Sequence, residues 1–285
     1  MNKILDGKTL RDLIIENLKE KIKDLKVKPG LAVVLVGNDP ASEVYVKNKI
    51  LTCHKIGFYS EQIFLSEQVS KDEIFSHLER LNKSKKIHGI LVQYPLPEKL
   101  AYLEQEINNF INPLKDVDCF NPLNVGKMFL SKNNEDKIFF PCTPKGIISL
   151  LKHYQIDIVG KKAVVVGRSN LVGKPVAFML CNGGATVTVA HSKTKNLFDL
   201  TKEADILVVA VGKKNFIKKE GVKKDAVVID VGINRDGKKI CGDVDFDDVF
   251  DKVKAITPVP GGIGPMTIAS LIENVYLAYQ LQIQS

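Results

Sequence analysis

The chain of 285 residues contains no tryptophan and no apolar run near the ~18 residues that a membrane-spanning helix needs. Its five cysteines are scattered and never form a Cys-x-x-Cys motif. That pattern argues against a disulfide framework or a zinc site and favours a reducing, cytoplasmic environment. The N-terminus lacks the apolar segment of a signal peptide, which supports the same expectation. The histidines show no metal-ligand spacing, so we expect no metal.

Charge is not balanced, because the formal net charge is +8. A nucleic-acid-binding protein would carry its lysines on one face, with aromatic residues between them. Solvated loops explain the lysine pairs of this chain better, since the pairs fall between short strand-like segments. A basic balance also favours anionic small molecules, which leaves phosphate and carboxylate ligands open. The pairs are Lys213-Lys214, Lys218-Lys219, Lys223-Lys224 and Lys238-Lys239.

Strand-like and helix-like segments alternate in the first half of the chain. Apolar residues at helical spacing predict a helix over 9–26, and a buried strand over 31–36 follows. Asp39-Pro40 has the residue types of a helix cap and first turn, and capping-box spacing predicts another helix over 71–83. A strand over 88–93 comes next. This alternation predicts a parallel sheet.

The alternation restarts near residue 140, and the prediction is an α/β fold of two domains with a cleft between them. The first domain takes residues 1–140 and is joined by a C-terminal helix over 265–285 that returns to it. The second, over 141–264, is of the Rossmann type. It contains a helix over 144–153, β-rich runs at 163–166, 186–189, 206–211 and 227–231, and helical segments near 174–182 and 196–203.

A glycine-containing turn from Val164 to Pro175 has the strand–turn–helix order of a dinucleotide-binding unit. Gly167 ends the strand, and Gly173 allows the following helix to pack closely. Ser169 stands where the middle glycine of a G-x-G-x-x-G motif would be, and the loop is longer than usual. The helix N-terminus offers N–H groups to a pyrophosphate.

The next strand indicates which dinucleotide is bound. An NAD site usually places an acid after this strand, but here Ala190-His191-Ser192-Lys193 follows it. Ser192 and Arg168 are suited to a 2′-phosphate, so we predict NADP rather than NAD. The alternative is that both residues only shape their loops.

Three polar positions in the first domain could form a catalytic group. Tyr45 and Lys49 share a helix face, where the ring could stack on a heterocycle and a desolvated lysine could act as a base. A surface lysine over an aromatic ring is the alternative. Gln93 ends a buried strand, where ligand sites of α/β sheets lie. Asp118 could bind an aminopyrimidine edge or simply form a turn.

The segment 256–267 places three prolines and three glycines in twelve residues, directly before the last helix. Proline fixes the backbone and glycine allows close approach, so the segment suits a flat ligand held against backbone. A purely structural turn is the alternative.

Together these stretches resemble the bifunctional methylenetetrahydrofolate dehydrogenase/cyclohydrolase family. The similarity runs essentially from end to end. It rests on Ser42-Glu43-Val44-Tyr45-Val46 with Lys49, Gly89–Gln93 with Pro95-Leu96-Pro97, Lys115-Asp116-Val117-Asp118, Pro141-Cys142-Thr143-Pro144, Gly167-Arg168-Ser169 with Val172-Gly173-Pro175, and Pro260–Thr267.

The resemblance implies NADP-dependent oxidation of methylenetetrahydrofolate and hydrolysis of the methenyl product to 10-formyltetrahydrofolate, by a homodimer. It implies that Lys49 is catalytic, that Gln93 tunes it, that Tyr45 stacks on the folate and that Asp118 holds the pterin. The first domain would then be the folate-binding one. The segment with Pro260, Gly261, Gly262 and Gly264 would close over the folate, and the implied cofactor contacts are Gly167, Arg168, Ser169, Ser192 and Ile233, to which the turn adds Gly173.

Two residues depart from the family pattern near Asp118. Cys119 replaces the usual glycine, and Asn121 replaces a histidine that many bacterial relatives carry. Both departures make the position of Asp118 less certain. The competing hypothesis for the whole chain is another two-domain NADP-dependent dehydrogenase that acts on a hydroxy acid or a quinate-like substrate.

Overall fold

The computed structural model describes residues 3–134, 137–237 and 239–283. They form two compact units, which we call the N-terminal unit and the central unit. The N-terminal unit comprises Ile14–Leu130, Lys137–Cys142 and Leu271–Ser285, and the central unit comprises Met1–Leu13, Ser131–Asp136 and Thr143–Ser270. Unlike the predicted division, the first thirteen residues group with the central unit. Lys238 of the predicted lysine pairs lies outside the described residues.

The elements follow in chain order. The strands are β1 (Lys3–Ile4), β2 (Gly30–Val36), β3 (Tyr59–Leu65), β4 (Gly89–Val92), β5 (Lys162–Val166), β6 (Thr186–Ala190), β7 (Ile206–Val209), β8 (Val227–Asp230), β9 (Asn234–Asp236), β10 (Lys239–Cys241) and β11 (Ala255–Ile256). The α-helices are α1 (Gly7–Ile22), α2 (Pro40–Ile56), α3 (Lys71–Lys83), α4 (Glu104–Phe110), α5 (Pro122–Leu130), α6 (Cys142–His153), α7 (Gly173–Asn182), α8 (Leu197–Thr201), α9 (Phe246–Val249) and α10 (Ile263–Ile283). Glu98–Leu103 and Lys219–Gly221 are 3₁₀ helices.

The N-terminal unit is built on a parallel sheet of three strands in the order β3-β2-β4. Every residue of β2 is buried, because the central strand is covered on both faces. One face packs on a cluster that includes Leu31 and Leu35, and the other on a cluster that includes Val34 and Ile90. The loops that follow the carboxyl ends of these strands therefore start from a sheet that is packed on both faces.

Local residue types determine where the helices of this unit begin and end. The Asp39 carboxylate accepts a hydrogen bond from the Ser42 amide at 2.8 Å, and Pro40 opens α2 as predicted. Ser70 caps α3 in the same way. The first helix ends at Ile22, earlier than predicted, because the Lys28 ammonium binds the carbonyl of Ile22 and the chain turns there.

The central unit contains a six-stranded sheet in the order β1-β11-β8-β7-β5-β6, and each neighbouring pair is parallel. Its core combines apolar residues of β5, β7 and β8, such as Val164, Leu207 and Val228. The strand order places β6 and β7 on either side of β5, as in a Rossmann unit. The predicted Rossmann-type domain is confirmed.

The C-terminal helix α10 returns to the N-terminal unit, as predicted, over its residues from Leu271 onward. Asn274 donates to the carbonyls of Val117 and Phe140 at 2.8 and 2.9 Å, and Gln282 donates to the carbonyl of His88 at 2.8 Å. These bonds fasten the helix to loops of the first half of the chain. None of the described helices has both the length and the apolar character needed to cross a bilayer.

Candidate active site

The helix α2 carries Tyr45 and Lys49 one turn apart, as the sequence predicts. Lys49 and Gln93 are half-buried, and Tyr45 keeps 37% of its surface exposed. The Lys49 ammonium donates a hydrogen bond of 2.9 Å to Oε1 of Gln93. The Gln93 amide nitrogen donates to the carbonyl of Tyr94 at 2.8 Å, so the amide oxygen is held facing Lys49. Lys49 is therefore held by a hydrogen bond to the residue that follows β4.

Electrostatic interactions connect Lys49 with Asp118. Burial lowers the pKa of Lys49, and the charges of Asp118 and Cys142 oppose that shift. Burial likewise raises the pKa of Asp118, while Lys49 and a hydrogen bond from Cys142 lower it. A lowered pKa makes the neutral amine, which can accept a proton, easier to form, so this group has a property that a general base needs.

A buried polar network fixes the loop that carries Asp118. The Asp116 carboxylate accepts hydrogen bonds from the amides of Phe120 and Asn121 at 3.1 and 2.9 Å and from Asn124 at 2.8 Å. Burial raises the pKa of Asp116, and these hydrogen bonds oppose that rise. The loop conformation is therefore set by donors that surround one carboxylate.

The two departures from the family pattern fit into this loop. Cys119 adopts φ 60°, a left-handed conformation that favours glycine, and its thiol donates to the carbonyl of Phe139 at 3.2 Å. Asn121 donates to the carbonyls of Asn108 and Ile111 at 3.0 and 3.1 Å. Both side chains are buried and bonded, and the loop brings Asp118 close to Lys49 and Cys142.

Two residues of this cluster were not predicted from the sequence. The Cys142 thiol donates to Oδ1 of Asp118 at 3.2 Å, and Asn274 donates to Cys142 as well as to the loop carbonyls. Cys142 belongs to a motif that carries the family resemblance, so its position was a usable signal. Asn274 is a fully buried amide within the apolar stripe of the last helix, which also marks it as unusual.

The dinucleotide turn has the close packing that its glycines predict. A Cβ on Gly167, whose φ is 132°, would lie 2.3 Å from the Ala210 carbonyl, and one on Gly173 would lie 2.2 Å from the Gly167 carbonyl. The Ser169 hydroxyl accepts hydrogen bonds of 3.2 Å from the amides of Val172 and Gly173. Ser169 therefore shapes the turn where the usual motif has glycine.

A pocket of about 520 Å³ opens beside this turn in the central unit. None of the described lining residues is acidic, and three of the predicted cofactor residues, Gly167, Arg168 and Ser192, are among them. Ile233, another predicted contact, is 46% exposed and lies outside the lining. The pocket also contains residues that the sequence did not suggest. The lining is Val166, Gly167, Arg168, His191, Ser192, Thr194, Leu197, Ala210, Val211, Lys213 and Phe216.

The proline- and glycine-rich segment lies in the central unit, whereas Tyr45, Lys49, Gln93 and Asp118 lie in the N-terminal unit. The Gly7 amide donates to the Gly261 carbonyl at 3.0 Å, and a Cβ on Gly7 would lie 1.8 Å from the Gly262 carbonyl. The segment is thus fastened to the start of α1. The predicted substrate-binding residues Pro260, Gly261, Gly262 and Gly264 form the turn and the first residues of α10.

Comparison with known families matches both parts of the chain. The family model described as the tetrahydrofolate dehydrogenase/cyclohydrolase catalytic domain matches residues 5–118. The model described as the NAD(P)-binding domain of the same family matches residues 141–283. Together they account for most of the sequence, and in the same order as the predicted domains.

Individual relatives cover nearly the whole chain. The bifunctional protein FolD of Acetivibrio thermocellus is 51% identical over 284 residues, which is 98% of this chain and 98% of the relative. A crystal structure of the bifunctional enzyme FolD from Campylobacter jejuni superposes with a TM-score of 0.93 at 46% identity, covering 99% of this chain and 100% of that one. The Trypanosoma brucei enzyme, solved with NADP cofactor and an inhibitor, gives a TM-score of 0.94 at 32% identity, with 100% and 99% covered.

Proposed function

Because the chain belongs to the tetrahydrofolate dehydrogenase/cyclohydrolase family, we propose that the cluster of Lys49, Gln93 and Asp118 is its folate-processing centre. The protein is a bifunctional enzyme. It oxidises 5,10-methylenetetrahydrofolate with NADP to the methenyl cation, and it hydrolyses this cation to 10-formyltetrahydrofolate. The observation that carries the assignment is the 2.9 Å hydrogen bond that holds the desolvated Lys49 ammonium on Gln93. No comparison favours the alternative of a hydroxy acid or quinate-like substrate.

Lys49 accepts and then donates a proton during hydrolysis. In its neutral form it accepts a proton from the water that adds to the methenyl carbon. It returns a proton to the ring nitrogen as the bond between that nitrogen and the carbon breaks, and the hydroxyl proton leaves as the formyl group forms. Gln93 holds the amine in place, and burial lowers its pKa, which favours the neutral form that accepts the proton.

The substrate contacts of the N-terminal unit follow from the chemistry of the pterin. Tyr45 offers an exposed aromatic face for stacking, and Asp118 offers carboxylate oxygens to the N–H groups of the aminopyrimidine edge. Cys142 donates to Asp118 and therefore helps to orient it.

The pocket of the central unit fits NADP. Gly167 and Gly173 let the turn and the start of α7 pack where a Cβ would collide with backbone, and the start of α7 offers N–H groups to a pyrophosphate. Arg168 and Ser192 bind the 2′-phosphate, and no lining residue is acidic. The bound NADP supplies the acceptor for the hydride. Ser169 and Gly173 maintain the shape of the turn.

The test separates the two activities in one preparation. Addition of methylenetetrahydrofolate and NADP to the protein produces NADPH absorbance, followed by decay of the methenyl chromophore. In Lys49→Met the hydrolysis is abolished because no amine remains to exchange protons, while calorimetric NADP binding is unchanged. Lys47→Met, which removes an exposed lysine from the same helix, retains both activities. Full hydrolysis by Lys49→Met would refute the assignment.

The protein is also proposed to be a cytoplasmic homodimer. The five cysteines are all described and form no disulfide, which suits a reducing compartment. The dimer rests on the family resemblance. Sedimentation velocity of the purified protein gives the mass of a dimer if the proposal is right and that of a single chain if it is wrong.

A further inference from the structure

A completely buried carboxylate, that of Asp243, binds four donors in the central unit. Its Oδ2 atom accepts the amides of Val211 and Gly212 at 2.6 and 2.9 Å. Its Oδ1 atom accepts the amide of Lys213 at 2.8 Å and the side-chain amide of Asn234 at 2.9 Å. Both oxygens thus have their acceptor capacity filled without a cation.

Glycine residues leave the space that the Asp243 carboxylate and its neighbouring carboxylate, Asp230, occupy. A Cβ on Gly232 would lie 2.1 Å from Oδ1 of Asp243, so the carboxylate occupies the space that a side chain would fill. Asp230 holds Asp243 from the other side, because it accepts the Asp243 amide at 2.9 Å. The Asp230 carboxylate in turn lies where a Cβ of Gly242 would be, 1.7 Å away. Two carboxylates and two glycines therefore fix each other.

The loop that Asp243 holds, Val211–Lys213, is a wall of the cofactor pocket. It follows β7, and both Val211 and Lys213 line the pocket. Gly212 between them has φ 65° and no neighbour that a Cβ would touch, whereas Val211 is partly buried and packs against the core of the central unit. The Lys213 ammonium lies 5.7 Å from the centroid of the Phe216 ring, another lining residue. The hydrogen bonds to one carboxylate therefore hold three consecutive amides of this wall, in addition to the packing of Val211.

We propose that Asp243 is a positioning residue that holds the Val211–Lys213 loop, and with it the Lys213 side chain, in the conformation that binds NADP. Lys213 is then a further cation for the phosphates, in addition to Arg168. A neutral side chain cannot replace Asp243, because an amide oxygen accepts only part of the four donors and the amide nitrogen faces the others. The inference rests on the assignment of NADP to this pocket.

Calorimetric titration with NADP tests the inference on the full chain. If Asp243→Asn leaves the loop in its binding conformation one tenth of the time, the apparent Kd rises about tenfold. The kcat of the dehydrogenase at saturating NADP is retained, and the hydrolysis, which uses no dinucleotide, is unchanged. Asp247→Asn, an exposed acid on the same segment, keeps the wild-type Kd. An unchanged Kd in Asp243→Asn overturns the proposal.

A pair of neighbouring lysines provides a second test that does not disturb the buried carboxylates. Lys213→Ala weakens NADP binding several-fold, whereas Lys214→Ala, which lies outside the pocket lining, does not. The Asp243→Asn and Lys213→Ala effects are less than additive in the double variant, since Asp243 acts through Lys213. Fully additive effects overturn the proposal, and equal Kd values for Lys213→Ala and wild type overturn it even if Asp243→Asn fails to fold. Wild-type protein that binds no NADP refutes the proposed cofactor instead.

Discussion

Lys49 shows how a residue with an ordinary pKa in water gains a chemical role in a folded protein. Burial removes water from the ammonium, which lowers its pKa, and the charge of Asp118 opposes this shift only in part. The hydrogen-bond partner is the neutral amide of Gln93, which orients the amine while adding no charge. Asp118 and Cys142 then set how far the pKa falls, since both raise it.

A change in the pH profile follows from the sign of these interactions. Asp118→Asn removes the largest charge interaction that raises the pKa of Lys49, so that pKa falls further and more amine is neutral at a given pH. We expect the rising limb of kcat for hydrolysis to move to lower pH in this variant. Cys142→Ala moves it in the same direction, because the thiol acts with the same sign. The measurement is kcat at saturating methenyl substrate across the pH range, and a shift to higher pH would contradict the role of Lys49 as a base.

The helix α10 carries two buried polar side chains one turn apart, Ser270 and Asn274, which differ in their hydrogen bonding. Asn274 bonds the carbonyls of Val117 and Phe140, which flank Asp118 and Cys142. The Ser270 hydroxyl is also fully buried, and it has no hydrogen-bond partner among the described residues. The same helix therefore carries one polar group that stabilises the loops and one that costs free energy.

Opposite changes in stability are expected when each group is replaced by an apolar one. Asn274→Leu leaves the Phe140 carbonyl without the donor that Asn274 provides and the Val117 carbonyl with the weaker Cys142 thiol, and an unsatisfied buried group costs about 1–3 kcal/mol. It also releases the loop of Asp118, so the KM for the folate substrate rises. Ser270→Ala removes an unsatisfied hydroxyl and raises the free energy of unfolding slightly. Urea denaturation of both variants measures the contrast, and equal destabilisation would show that the Asn274 bonds do not hold the loops.

Elements with strong local signals could be predicted from the sequence. Asp39 and Ser70 cap helices as their residue types require, and the Val-rich runs of the central sheet are strands. The strand β3 was missed, because its sequence Tyr59–Leu65 mixes polar residues into an edge strand that is largely exposed. The short strands β1 and β11 were missed for another reason. Each has only two residues, and β1 pairs with a partner some 250 residues away, which no local pattern indicates.

The residues of the candidate site could also be predicted only in part. Residues that share a helix, such as Tyr45 and Lys49, could be placed together from spacing alone. The contact between Lys49 and Gln93 joins residues that are far apart in sequence, and the family resemblance indicated it. The contact between Cys142 and Asp118 was not predicted. Asp243 had no such signal, because its partners are backbone amides and these leave no trace in the residue types.

Each of the two units has its own hydrophobic core. Apolar residues cover both faces of the three-stranded sheet in the N-terminal unit, and a separate cluster fills the central unit. A titrating group that is buried in one core therefore affects the unfolding of that unit directly. The central unit contains such a group in Asp230, which is 3% exposed.

The stability of the central unit should depend on pH through the titration of Asp230. Burial raises the pKa of this carboxyl from 3.8 to about 7, and hydrogen bonds from the amides of Val244, Asp243 and Gly232 only partly oppose the shift. Because the folded state holds the proton more tightly than the unfolded state, the contribution to stability is complete below pH 4 or so. It is lost as the pH rises through about 7.

Calorimetric unfolding between about pH 5 and 8 tests this expectation. The central unit's transition is the one that NADP moves to higher temperature, since a ligand stabilises the unit that binds it. In wild type this transition falls in temperature as the pH rises through the window. In Asp230→Asn, which cannot titrate, the fall is smaller, while the transition of the N-terminal unit keeps its wild-type pH dependence. Parallel pH dependence of the NADP-sensitive transition in both proteins would mean that Asp230 does not bind a proton on folding.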